Sequence, residues 1–134
     1  MKQQTILIVD YGSQYNLLIA RRIRELGVYC EVLPPDFKDG EIEGKDIVGI
    51  VLSGGPSSIY DKKAPKLNQK LLDYGVPVLG ICYGMQIMAH TLGGKVQKST
   101  HREYGRADLR KTKSSKLLSR VPKVSQTWMS HGDS

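Results

Sequence analysis

A chain of 134 residues, 40% hydrophobic and 25% charged, has the make-up of one soluble globular domain and no more. No apolar run approaches the roughly 20 residues of a membrane helix, and the opening MKQQTILIVDYG lacks the apolar core and cleavage site of an export signal, so a cytoplasmic protein without a membrane partner is expected. The formal net charge of +7 is spread along the chain, mildly concentrated between Arg102 and Lys123, and no nucleic-acid-binding motif accompanies it. Nucleic acid is therefore not expected as a partner, and two cysteines, Cys30 and Cys82, do not make a disulfide framework.

Apolar runs alternate with helical patterns, the mark of a parallel α/β sheet. Thr5 to Val9 is a continuous apolar run, as a strand buried on both faces should be. Ser13 is placed to cap the next helix. There Leu18, Ile19, Ile23 and Leu26 fall near helical spacing, Arg21, Arg22, Arg24 and Glu25 face away, and Gly27 ends the helix. Val28 to Leu33 is a second strand, stopped by Pro34 and Pro35. Ile47 to Leu52 is a third, running into the loop Ser53-Gly54-Gly55-Pro56. Pro65 suits the first turn of a helix reaching about Tyr74, closed by Gly75. Val76 to Ile81 is a fourth strand, followed by Cys82 and a helix from about Gly84 to Leu92 that ends at Gly93-Gly94. Strand character returns at Lys95 to Gln97, Gly105 to Arg110 and Thr127 to Ser130, with a short helix expected at Lys116 to Leu118.

The chemistry centres on Gly80-Ile81-Cys82-Tyr83-Gly84, set between an apolar strand and an amphipathic helix. This is the cysteine form of the nucleophile elbow G-x-S-x-G. A sharp strand-to-helix turn strains the middle residue, and small residues two positions either side prevent clashes. The side chain then projects at the carboxyl end of the sheet, where open α/β folds place ligands. The helix N-terminus puts about half a positive charge beside the sulfur, which favours the nucleophilic thiolate. The backbone N–H of Tyr83 follows the nucleophile and can donate to an oxyanion formed by attack on a carboxamide. Gly54 or Gly55, after the neighbouring strand, is the candidate second donor. Cys30, with no glycine bracket, reads as core packing.

These residues resemble a known family. GICYGMQ (Gly80 to Gln86) is similar to the nucleophile motif of class I, or triad-type, glutamine amidotransferases, and SGGP (Ser53 to Pro56) to their oxyanion loop. DYGSQYNLLIARRIRELGVYCE (Asp10 to Glu31), REYG (Arg102 to Gly105) and WMSHGD (Trp128 to Asp133) narrow the resemblance to the GMP synthase branch, as does Tyr83 where other branches more often have Leu. The resemblance spans essentially the whole chain. It implies a three-layer, flavodoxin-like, mostly parallel sheet with helices on both faces. It also implies hydrolysis of glutamine through a cysteinyl thioester on Cys82, with oxyanion N–H groups from Gly54 and Tyr83. Gln86 would hold the glutamine head group, and Ser130, His131 and Gly132 its amino-acid end, with Asp133 there or at an interface. The ammonia would pass to an ATP-pyrophosphatase domain or subunit that aminates xanthosine monophosphate. ATP and Mg²⁺ belong to that partner; the amidotransferase domain itself needs no cofactor or metal.

The family's catalytic histidine and glutamate lie in an H-P-x-E motif that these 134 residues do not contain. His90 sits about two turns along the elbow helix from Cys82, roughly 12 Å away, too far to be the base. His101 reads as surface, and the resemblance gives His131 a binding role. Residues 1–134 are thus expected to be the N-terminal portion of an amidotransferase domain, with little glutaminase activity alone because general acid–base help is worth about 10²–10⁴-fold. Two other readings compete. One is a non-catalytic regulatory or docking subunit with the same fold, or the amidotransferase subunit of another biosynthetic enzyme. The other is a different cysteine-elbow α/β hydrolase or protease. Such enzymes usually place histidine directly after the cysteine, where this chain has Tyr83.

Overall fold

The computed structural model describes residues 2–55, 62–96 and 98–133, with the side chains of 98–104 and 128–133 left aside. It contains two compact units, 1–96 and 97–134.

The first unit is built on β1 (Gln4–Val9), α1 (Asn16–Glu25), β2 (Tyr29–Leu33), β3 (Asp46–Leu52), α2 (Gln69–Leu72), β4 (Val78–Gly80) and α3 (Tyr83–Thr91). The four strands form one parallel sheet in the order β2-β1-β3-β4. The chain winds outward from β1 in one direction and back through β3 in the other, the flavodoxin-like order. The apolar runs are continuous because both faces are covered. On one face Leu7, Val9, Ile50 and Leu52 pack with Leu71 of α2 and with Tyr83 and Ile87 of α3. On the other, Ile8, Val51 and Cys30 pack against Ala20 of α1. Each fully buried aliphatic side chain of this kind contributes about 1.5–3 kcal/mol.

Several local expectations are corrected. Ser13 is not the N-cap of α1: the cap position is Tyr15, which has no side-chain cap bond. Ser13 instead accepts the N–H of Tyr15 at 3.0 Å, while Asn16 donates to the Asp10 carboxylate and to the Ser13 carbonyl. Side-chain bonds in the turn thus delay the helix by one residue or more, the competition expected of short polar side chains. The buried stripe of α1 is Asn16 and Ala20, backed by Ile19 and Ile23; Leu18 is 46% and Leu26 82% exposed. Only one sheet face is available to the helix, and its small residues allow the closest approach. The helix expected from Pro65 is a single turn, α2, whose N-cap is Asn68 accepting from Lys70 N–H at 3.1 Å.

The second unit is a two-stranded antiparallel ribbon of β5 (Lys98–Arg110) and β6 (Val124–Asp133). The strand segments expected at Gly105 to Arg110 and Thr127 to Ser130 are its paired middle, with Ala107 opposite Thr127. Lys95 precedes β5 and belongs to no strand, and Gln97 lies outside the described residues. Lys116 to Leu118 form turns, not a helix, since the loop closes on a lysine ammonium, as described below.

Candidate functional site

Three of the connections at the carboxyl end of the sheet meet the motif residues: 10–12 after β1, 53–55 after β3, and Cys82 after β4. Ser53, which is 0% exposed, ties the first two. Its N–H and its Oγ both donate to the Val9 carbonyl, at 3.1 and 2.8 Å, and its Oγ accepts the Tyr11 N–H at 3.3 Å. The sequence placed Ser53 in the SGGP loop but gave its side chain no role; the available signal was a small hydroxyl ending an otherwise apolar run. Ser53→Ala is expected to cost about 1–3 kcal/mol because it leaves the buried Tyr11 N–H without its acceptor, measurable as a lower urea midpoint at unchanged slope.

Cys82 is the N-cap of α3 at φ 53° and ψ −118°, the one non-glycine with positive φ among the described residues. A residue held there stores about 1–3 kcal/mol, and such outliers cluster at functional sites. The hydrogen bonds on either side hold the bend. Ile81 N–H donates to the Leu52 carbonyl at 2.9 Å, Gly84 N–H to Ile81 at 2.9 Å, and Gln86 N–H to Cys82 at 3.1 Å. The thiol is exposed. Cys30, by contrast, is buried, with its Sγ 3.5 Å from the Ala20 carbonyl, as expected for a packing residue.

The glycine bracket has a steric reason. A Cβ on Gly84 would lie 2.0 Å from the Leu52 carbonyl oxygen, and one on Gly80 would lie 2.6 Å from Met85 Cα. No side chain fits at either place while α3 stays against β3. The same measure separates the two oxyanion candidates. A Cβ on Gly54 would meet Cys82 Cβ at 3.1 Å and Sγ at 3.8 Å, whereas one on Gly55 would strike the Tyr11 carbonyl oxygen at 2.1 Å. Gly54 is thus the glycine whose backbone lines the thiol, and Gly55 is the one packed on the loop after β1.

Tyr83 contributes its backbone at the start of α3, while its side chain is structural. The ring is 1% exposed, stacks edge-on against Tyr11 with centroids 5.3 Å apart, and donates its hydroxyl to the Pro65 carbonyl. Burial, and secondarily the neighbouring Tyr83, push the Tyr11 hydroxyl well above its ordinary value, so it stays neutral. Gln86 lies one turn into α3 and is partly buried. His90 is exposed near the end of that helix. A cavity of about 250 Å³ between residues 62–67 and α3 is lined by Tyr83, Ile87 and His90 but not by Cys82. Ser130, His131 and Gly132 belong to β6, with Ser130 opposite Tyr104 and His131 opposite Glu103; their side chains, and those of His101 and Arg102, lie outside those described. Among the described residues no helix is long and apolar enough to cross a membrane.

An exposed thiol on a strained strand-to-helix bend, beside a glycine backbone, is equipped to attack a carbonyl-type carbon and to stabilise the resulting oxyanion. The sequence profile of the family "Glutamine amidotransferase class-I" matches residues 7–134. The chain is 51% identical over 133 residues to a protein of Geobacillus kaustophilus named GMP synthase [glutamine-hydrolyzing], covering 99% of this chain and 26% of that one. The equally named protein of Alkaliphilus metalliredigens is 50% identical with the same coverage. The chain therefore spans about a quarter of the length of these curated relatives. Among solved structures, a glutamine amidotransferase from Thermotoga maritima superposes with a TM-score of 0.83 at 24% identity, over 100% of this chain and 63% of that one. A candidate GMP synthase component from Thermoplasma acidophilum gives 0.76 at 31% identity, over 99% and 67%.

Proposed function

The chain belongs to the class-I glutamine amidotransferase family, and on that premise we propose that Cys82 is the nucleophile that releases ammonia from glutamine. The single observation that carries this reading is the positive φ of Cys82 at the head of α3, with its sulfur exposed beside Gly54. The thiolate adds to the carboxamide carbon, and the oxygen takes the negative charge between the N–H groups of Gly54 and Tyr83. Gln86 holds the carboxamide. The adduct collapses once its nitrogen is protonated, breaking the C–N bond, releasing ammonia and leaving a thioester on Cys82. Water then hydrolyses the thioester to glutamate and restores the thiol. Ser130, His131 and Gly132 keep the role that the family resemblance gives them, binding the amino-acid end of glutamine. Residues 1–134 contain no H-P-x-E sequence, so the proton-transferring histidine and its glutamate partner are not among them.

The half-identity to glutamine-hydrolysing GMP synthases, over a quarter of their length, supports a specific destination for the ammonia. It is a synthetase domain or subunit that uses ATP and Mg²⁺ to activate xanthosine monophosphate and aminate it to GMP. The setting for such purine synthesis is the cytoplasm.

An electrophilic glutamine analogue tests the nucleophile directly. Incubation followed by peptide mass spectrometry is expected to show stoichiometric modification of Cys82, suppressed by excess glutamine, with Cys30 unmodified. Equal labelling of both cysteines, or labelling of Cys82 indifferent to glutamine, would remove the glutaminase assignment.

A further inference from the structure

The second unit holds nearly all of the molecule's excess charge. Residues 109–123, around the loop joining β5 to β6, contain Arg110, Lys111, Lys113, Lys116, Arg120 and Lys123 and no acidic residue, in a chain whose formal net charge is +7. This loop is ordered from within. Lys111 N–H donates to the Lys123 carbonyl at 2.7 Å and closes the ribbon. The Lys111 ammonium turns inward and donates to the carbonyls of Leu118 at 3.3 Å and Val121 at 3.1 Å. Leu118 N–H adds a bond to Ser115 Oγ at 3.2 Å. One cation is thus the loop's own staple. The other five are exposed, and none forms an ion pair with a described residue. Leu117 stands 68% exposed among them.

Holding five like charges on an internally bonded loop raises self-repulsion, which an acidic surface relieves. Because the loop is already ordered, binding there costs little chain entropy. We infer that this tip is the docking surface for an acidic polypeptide face on the synthetase part. The inference rests on the amidotransferase reading, under which such a part exists. A protein face fits better than nucleic acid. Residues 109–127 contain no aromatic side chain on which bases could stack, and an exposed leucine inside a cationic rim matches the apolar centre and charged edge of a protein interface.

The test uses the whole enzyme, either the full-length protein or this chain with its separately encoded partner. A zero-length carbodiimide, which joins ammonium to carboxylate only in contact pairs, is expected to link Lys113 or Lys116 to Asp or Glu of the synthetase part. The triple variant K113E/K116E/R120E is expected to lose those links and at least tenfold in glutamine-dependent amination, with glutaminase and ammonia-dependent amination within twofold of the parent. The charge-preserving K113R/K116R/R120K should keep coupling. Links confined to the amidotransferase domain, or unchanged coupling in the triple variant, would overturn the inference. So would tight binding of a labelled 20-mer oligonucleotide that the triple variant abolishes. Links to the partner in an enzyme that does not aminate xanthosine monophosphate would uphold the docking surface and refute the GMP synthase reading instead.

Discussion

Cys82→Gly is expected to abolish glutaminase activity and, at the same time, to make the protein more stable. The first effect follows from the proposed role of Cys82 as the nucleophile. No other group can form the thioester, and loss of a covalent nucleophile costs at least about 10⁴-fold. The second follows from the backbone. At φ 53° and ψ −118° a side chain is strained by about 1–3 kcal/mol, whereas glycine reaches that region freely. Glycine's extra freedom in the unfolded chain takes back about 0.5–1 kcal/mol, and the exposed thiol gives up little packing. The net gain is about 1 kcal/mol, a rise of a few degrees in the unfolding midpoint. Cys82→Ala is the control that separates the two effects, since it removes the sulfur and keeps the strain. It should be as inactive as the glycine variant but no more stable than the parent. Calorimetry on the three proteins, with glutaminase assayed in the whole enzyme, reads both. Equal stability of the alanine and glycine variants would mean that the bend holds no strain.

Gly84→Ala is expected to be among the most damaging single-methyl changes in the chain. The added carbon would sit 2.0 Å from the Leu52 carbonyl oxygen and 2.5 Å from its carbon, far inside contact distance. Neither atom belongs to a flexible side chain. The clash is between the first turn of α3 and the last residue of β3, so relief requires moving the helix away from the sheet. That movement opens the packing of Tyr83 and Ile87 on Leu52. Overpacking of a well-filled site costs about 1–3 kcal/mol, occasionally more, and with only backbone to displace, the upper end, about 3 kcal/mol, is expected. Glutaminase activity should fall with it, because the thiol rides on the same turn. Gly40→Ala supplies the contrast. A methyl there meets nothing within 4 Å and Gly40 has no positive φ, so the variant should be neutral or more stable by about 0.4–1 kcal/mol. Urea titration of both variants distinguishes the steric account from a general sensitivity of glycine positions.

The elbow was legible in the sequence because each of its requirements is local. A buried strand shows as a continuous apolar run, the tight turn as glycines two residues either side of Cys82, and the helix as the apolar spacing that follows. A parallel sheet was legible for a related reason, since apolar runs alternating with helical patterns mark one; the order β2-β1-β3-β4 was seen only in the structure. The starts of α1 and α2 were misplaced. Whether Ser13 or Tyr15 heads α1 depends on where Asp10 and Asn16 send their side chains. Asn68, not Pro65, heads α2 because the helix is a single turn.

By itself, the sequence determined the class of fold and the strand-to-helix bend with its glycine-bracketed cysteine, since these are written in residues that are neighbours along the chain. Tertiary structure alone decided what depends on distant segments meeting. It packed Gly54 against Cys82 and Gly55 against the Tyr11 carbonyl, made Ser53 the tie between β1 and β3 across 44 positions of sequence, and turned Lys111 inward while its neighbours stayed out. Spacing along a chain specifies periodicity and turns; which backbone oxygen lies 2 or 4 Å from a given atom is fixed only when the sheet closes and the loops pack against one another.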